Sequence, residues 1–139
     1  MKHWIYPGNP KYYDIIAAFT LEQEAAWPIN SNVKVGDYVY LYGGSPYKQI
    51  LFKCQVTDVD APAEAVVSQG EKYVKVQGSP PINKSFMLLK TVKQFQLEEL
   101  SLVSFRMLKQ NGLKGSIMGP QCLENNPTLF AYIKGVEAE

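Results

Sequence analysis

Residues Val33–Val56, VKVGDYVYLYGGSPYKQILFKCQV, read as strand, glycine-bearing loop, strand. Tyr38, Tyr40 and Tyr42 alternate with Val39 and Leu41, which places three tyrosines on one face and aliphatic side chains on the other. In the second run Ile50, Phe52, Cys54 and Val56 alternate with Leu51, Lys53 and Gln55. Gly36-Asp37 supplies the turn that launches the first strand, and Gly43-Gly44-Ser45-Pro46 interrupts the pattern between the two. Such a hairpin is either ordinary barrel wall or the wall of an aromatic pocket, and the remaining sequence has to separate the two.

Working outward, Lys2–Tyr6 is a short strand with Trp4 and Tyr6 on one side and His3 and Ile5 on the other. Asn9-Pro10 has the chemistry of a helix start, and Tyr12, Ile15, Ile16 and Phe19 form an apolar stripe over a helix from Pro10 to Phe19. Tyr13 and Asp14 lie off that stripe. Leu21–Asn32 has no regular pattern; Trp27, preceding Pro28, is pushed out of helical geometry and presents its ring from an extended loop. Downstream, Asp60–Gly70 reads as a surface excursion, Lys72–Val76 as a short strand, Gly78–Pro81 as a loop and Ser85–Val92 as a strand. Ser101 caps a helix from Leu102 to Asn111, with Gly112 at its left-handed end and Leu113 after it. Gly115–Gln121 is a loop or short strand, and Asn126-Pro127 starts a helix to Lys134 that Gly135 closes. Five or six short strands and about three helices in this order exclude a regular parallel β-α-β fold. They favour one α+β domain over residues 1–139, a mixed or antiparallel pseudo-barrel with helices packed outside.

With 139 residues, one domain buries about two-thirds of its unfolded surface. The net charge of +1 neither demands nor excludes a polyanion. The distribution says more: Lys84–Lys114 holds five lysines and Arg106 against Glu98 and Glu99, a balance of +4. Asp58–Lys72 holds four acids against one lysine, a balance of −3. No apolar run approaches a membrane span and no signal-peptide pattern follows Met1, so a soluble, cytoplasmic protein with no membrane partner is expected. Cys54 sits on the apolar face of its strand, as a buried reduced thiol does. His3 is the only histidine, no cysteine–histidine set has metal spacing, and no phosphate-binding glycine loop is present. A binding module without metal or cofactor fits this inventory better than an enzyme.

The order WIYPGNPKYYDI, AAW, VKVGDYVYLY, SPYKQILFKCQV and LSLVSFRMLKQNGLKGSIMGPQ resembles an EVE domain of the PUA-like superfamily, related to YTH and ASCH domains. It is most similar to the branch found with HNH-nuclease and McrB-type restriction proteins. The resemblance covers nearly the whole chain. It implies a PUA-like pseudo-barrel that holds a flipped, modified base of nucleic acid in an aromatic pocket. Modified cytosine in DNA is favoured, RNA is the alternative partner, and a separately encoded nuclease or NTPase is an implied associate. It further implies that Trp27 forms a pocket wall, that Asn9 and Asp14 read a base edge, that Tyr42, Ser45 and Tyr47 cover the base, and that Gln121 lies near the same mouth. Where relatives often carry Lys-Ser after the first strand, this chain has Pro7-Gly8, which weakens the expected phosphate contact there. Lys48, Arg106, Lys109 and Lys114 are the candidate backbone contacts. Each residue also has a plainer reading: Asn9 as a cap, Asp14 as a surface acid, Trp27 as a core plug, Tyr42 and Tyr47 as barrel wall, and the cations as solvated charges.

Overall fold

The computed structural model describes residues 1–75 and 85–138. Six strands form one mixed, curled sheet: β1 (His3–Gly8), β2 (Ala25–Pro28), β3 (Tyr38–Gly43), β4 (Gln49–Asp58), β5 (Phe86–Gln94) and β6 (Gln121–Cys122). Their spatial order is β2-β5-β4-β3-β1-β6; β1 and β3 run parallel and the other pairs antiparallel. The helices are α1 (Ile15–Leu21), α2 (Ala63–Tyr73), α3 (Leu97–Leu100), α4 (Phe105–Gln110) and α5 (Pro127–Glu137). This is the α+β half-barrel with three longer helices that the element order favours.

Alternation along β3 gives the sheet two apolar faces. Val39 and Leu41 join Trp4, Tyr6 and Phe52 under α1, while Tyr40 and Tyr42 join Ile5, Ile50 and the inward residues of α4 and α5. The alternation expected along β4 fails at one point. Leu41 pairs with Phe52 but Tyr42 pairs with Ile50, so Leu51 is an extra residue and lies on the same face as Phe52. Gly43 accommodates it, because a Cβ there would sit 2.6 Å from Leu51 Cδ1.

Long-range contacts override local pattern in several places. Asn9 does not start α1: its side chain accepts from the Lys11 N–H and its carbonyl from Tyr12 and Tyr13, closing a single turn. The Asp14 N–H is taken by the Tyr73 carbonyl and the Tyr12 carbonyl by the Lys75 N–H, so the helix begins only at Ile15, with Asp14 as its cap. Trp27 lies not in a loop but in β2, opposite Met87, where an edge strand tolerates Pro28. The Asp60–Gly70 excursion contains α2, whose buried face is only Gln69 and Tyr73. Of the Lys72–Val76 strand, Lys72 and Tyr73 end α2; Val76 and the Gly78–Pro81 loop lie outside the described residues.

The helix expected from Leu102 to Asn111 is split. Phe105 N–H bonds to the Lys48 carbonyl, and Ser104 in extended geometry caps α4 through the Met107 N–H. Gly112 does close it, at φ 112°, and the Leu113 N–H returns to the Leu108 carbonyl. Asn126 caps α5, but Gly135 does not end it, because Val136 is buried and Glu137 pairs with Lys53 and Tyr40. Burial opposes ionisation of Glu137, yet those two partners hold its carboxyl below the usual range. Cys54 is buried and free, its thiol pushed up to about 12 by burial.

The parallel β1–β3 pairing is held at its start by Asp37, only 4% exposed. Its carboxylate accepts from the Lys2 N–H (2.9 Å), the Lys34 N–H (3.0 Å) and Trp4 Nε1 (3.1 Å). Burial alone would raise its pKa, but these donors outweigh it and the carboxyl titrates below the ordinary range. Asp37→Asn, which turns one acceptor into a donor facing these N–H groups, is expected to cost about 2 kcal/mol in urea unfolding at neutral pH. Because the folded pKa is depressed, Asp37's stabilisation is complete above the unfolded value and fades as pH falls through the folded one. The gap between wild type and variant should therefore shrink below about pH 4, and a gap constant down to the acid transition would refute the assignment.

Candidate functional site

Parallel strands end at the same edge, so β1 and β3 deliver Gly8 and Gly43 side by side, paired in register. The Gly44 N–H bonds to the Gly8 carbonyl (2.9 Å), which ties together the two chain segments leaving those strands. One leads through Asn9 and Lys11, the other through Ser45 to Lys48. Between them and the 115–119 loop lies an open cavity of about 490 Å3, lined by Pro7, Gly8, Asn9, Lys11, Tyr42, Gly44, Ser45, Ile117 and Met118. A neighbouring cavity of about 400 Å3 shares Tyr42, Gly44, Ser45, Ile117 and Met118 and adds Lys48, Phe105 and Ser116. Together they form one groove, with Lys11 lining one half and Lys48 the other.

The groove combines apolar walls with uncommitted polar groups. Tyr42 is 7% exposed, and its hydroxyl, the Ser45 hydroxyl and the Asn9 amide nitrogen have no hydrogen-bond partner among the described residues. Burial pushes the Tyr42 phenol up, so it stays a neutral donor and acceptor at physiological pH. Three such groups around one concavity can orient a planar polar ligand, and the volume is in the range of small-molecule pockets.

Trp27 does not line this groove. Its indole, 8% exposed, packs edge-on against Tyr13 (5.4 Å between ring centres) and Phe19 (5.5 Å). It borders a second cavity of about 260 Å3 with Tyr13, Ala26, Pro28, Val66, Gln69, Gly70, Val74 and Phe86. That lining is almost wholly apolar. Among the described residues its one side-chain amide, Gln69, is spent on the Ala26 N–H and the Glu24 carbonyl. Gly8 joins the two regions: it lines the groove, and a Cβ on it would lie 2.8 Å from Ile15 Cδ1 and 3.0 Å from Trp27 Cζ2.

Of the residues singled out in the sequence, Asn9, Tyr42, Ser45 and Lys48 are thus brought together. Asp14 is engaged as the α1 cap, its side chain accepting from the Ala17 N–H (3.2 Å), and lines neither cavity. Tyr47 is exposed beside Gly43. Gln121, in β6, borders a separate depression with Lys114, Cys122 and Asn126. Arg106 and Lys109 are exposed on α4, whose first residue, Phe105, lines the groove beside Lys48. Sequence reasoning missed Lys11, Ile117 and Met118. The signal available for the last two was an apolar pair set between glycines, GSIMG, in an otherwise polar loop. Among the described residues no cluster of metal-ligating side chains and no helix long and apolar enough to cross a membrane occurs.

No family model and no curated protein sequence matches the chain. Solved structures do. The human THYN1 protein in complex with 5-methylcytosine-containing DNA aligns over 100% of this chain and 99% of its own, with 13% identity and a TM-score of 0.65. An ASCH protein from Zymomonas mobilis aligns over 96% and 94% with 10% identity and a TM-score of 0.61. A Pseudomonas putida protein aligns over 96% and 98% with 20% identity and a TM-score of 0.62. What is shared is the fold. The mixed, curled half-barrel sheet with helices packed outside it is common to this chain and these structures.

The Gly8 contact gives a direct test of how the two regions are joined. Gly8→Ala should cost roughly 1–3 kcal/mol by overpacking against Ile15 and Trp27. It should also shift the tryptophan fluorescence of the folded protein. An unchanged urea midpoint and spectrum would show that the contact is slack.

Proposed function

We propose that this protein is a nucleic-acid-binding module that accepts a base extruded from its strand into the groove between the β1 end, the β3–β4 loop and the 115–119 loop. The carrying observation is the convergence of Asn9, Tyr42 and Ser45, each with an unused polar group, on one cavity that Lys11 also lines, beside the adjoining cavity lined by Lys48. Extruding a base costs a few kcal/mol, which stacking and edge hydrogen bonds must recover. Tyr42, with the apolar faces of Pro7 and Ile117, supplies the surface; Asn9, Ser45 and the Tyr42 hydroxyl supply the edge contacts. Trp27 supports the Gly8 wall from behind rather than stacking on the base. Lys11, Lys48 and Arg106 meet phosphates.

The favoured ligand is DNA carrying a modified cytosine. The EVE-like sequence order supports this, as does a shared fold with human THYN1, which was solved with DNA containing 5-methylcytosine. A methyl group adds about 0.8 kcal/mol of apolar burial, a factor of roughly four, so larger selectivity must come from the polar readers. In this reading the protein binds without turnover, in the cytoplasm. It serves a modification-dependent restriction system of the HNH or McrB type, beside a separately encoded nuclease or NTPase.

The test is a titration of otherwise identical oligonucleotides carrying plain, methylated or hydroxymethylated cytosine or methylated adenine, as DNA and as RNA. We expect one modified-cytosine duplex to bind tightest. Asn9→Ala and Tyr42→Phe should each reduce that preference several-fold, while Trp27→Phe should leave it. Lys48→Ala should weaken all ligands alike and flatten the salt dependence by about one unit of slope. Tighter binding of structured RNA than of every DNA would replace this reading with that of an RNA-binding protein.

A further inference from the structure

Met118 is 88% exposed, yet it is no stray surface residue: it borders both halves of the groove. Its position is fixed from both sides. Ile117 is buried in the core formed with α4 and α5, and four residues later Gln121 pairs with Ile5 in the sheet. Upstream, Leu113 is buried and the Gly112 carbonyl accepts from Asn126 Nδ2 (2.8 Å). Gly115, at φ 71°, and Gly119 flank a stretch that buries Ile117 and turns Met118 outward. An apolar side chain is thus held at the lip of the groove, bordering both the half that Lys11 lines and the half that Lys48 lines.

Pulling one base out of a duplex leaves a gap in the stack the height of a base. The gap opens beside the cavity that receives the base, between the phosphates flanking the extruded nucleotide. Proteins that unstack DNA fill or prise open such steps with an apolar wedge, methionine among them. Methionine is unbranched and has a polarizable thioether, so it can shape itself to a gap whose neighbours vary.

We infer that Met118 is the wedge that enters the base stack vacated by the extruded nucleotide, and that the ligand of this groove is therefore a duplex rather than a single strand. The inference rests on the base-binding reading above and adds the state of the nucleic acid and a residue that acts outside the cavity. In a duplex Met118 replaces the lost stacking contacts and keeps the orphaned partner base from closing back. On a single strand it has no gap to fill.

The experiment compares wild type, Met118→Ala and Met118→Leu on three forms of the tightest-binding strand: matched duplex, duplex with a mismatch opposite the target base, and the strand alone. Folding is controlled by thermal unfolding, which an exposed side chain should leave unchanged. Met118→Ala is expected to lose about tenfold on the matched duplex, less on the mismatch, where extrusion is already easier, and under twofold on the single strand. Met118→Leu should retain most of the duplex affinity. A 2-aminopurine placed next to the target base should brighten as its neighbour is extruded on binding to wild type, and do so less with Met118→Ala. Equal losses on duplex and single strand, or no loss on the duplex, would overturn the wedge while leaving the cavity intact. If wild-type protein binds none of the three forms, the base-binding reading falls and the wedge falls with it.

Discussion

A carboxylate taken out of water must find hydrogen-bond donors, and Asp37 finds three from two separate stretches of chain: the backbone of Lys2, the indole of Trp4 and the backbone of Lys34. That requirement fixes where the first strand lies relative to the third, and with it the parallel pairing His3–Gly8 against Tyr38–Gly43. An antiparallel arrangement of these two strands would send their ends to opposite edges of the sheet. The parallel one brings Gly8 and Gly43 out together, so the segments that follow enclose a common space. The groove is therefore a consequence of topology, and the topology is held at its far end by a buried charge.

The groove and the Trp27 region differ in what their walls offer. Free hydrogen-bonding groups collect around Tyr42, next to cations. Trp27 and Tyr13 line a space whose other described walls are mainly apolar and whose Gln69 amide is already satisfied. A site that discriminates by polar contacts needs groups that water rather than protein has been satisfying. On that ground the proposal above puts recognition in the groove.

The parts legible in the sequence are those whose period is local and strong. The β3–β4 hairpin, the burial of Cys54, the Gly112 stop and the Asn126 cap follow from neighbours within a few residues. The parts that were not legible depend on partners distant in sequence. Asn9 has the side chain of a helix cap, but the end of α2 claims the backbone groups of Tyr12 and Asp14 and delays the helix by a turn. Trp27 belongs to a strand only because Met87 lies opposite, and α2 shows so thin an apolar face that its pattern is weak. The same holds for the site. Asn9, Tyr42, Ser45 and Lys48 stand out as polar or aromatic residues around glycines. Met118 stands out only once the core has taken Ile117 and left its neighbour outside.

The extra residue at Leu51 changes the parity of the hairpin. Below it, odd and even positions of β4 are committed to the two cores; above it the assignment is reversed, and Ile50 shares its face with Tyr42. The tip of the hairpin thereby faces the core of α4 and α5 through Ile50, while Leu51 stays with Phe52 on the other side. In this architecture one inserted residue decides which core the tip of the hairpin serves.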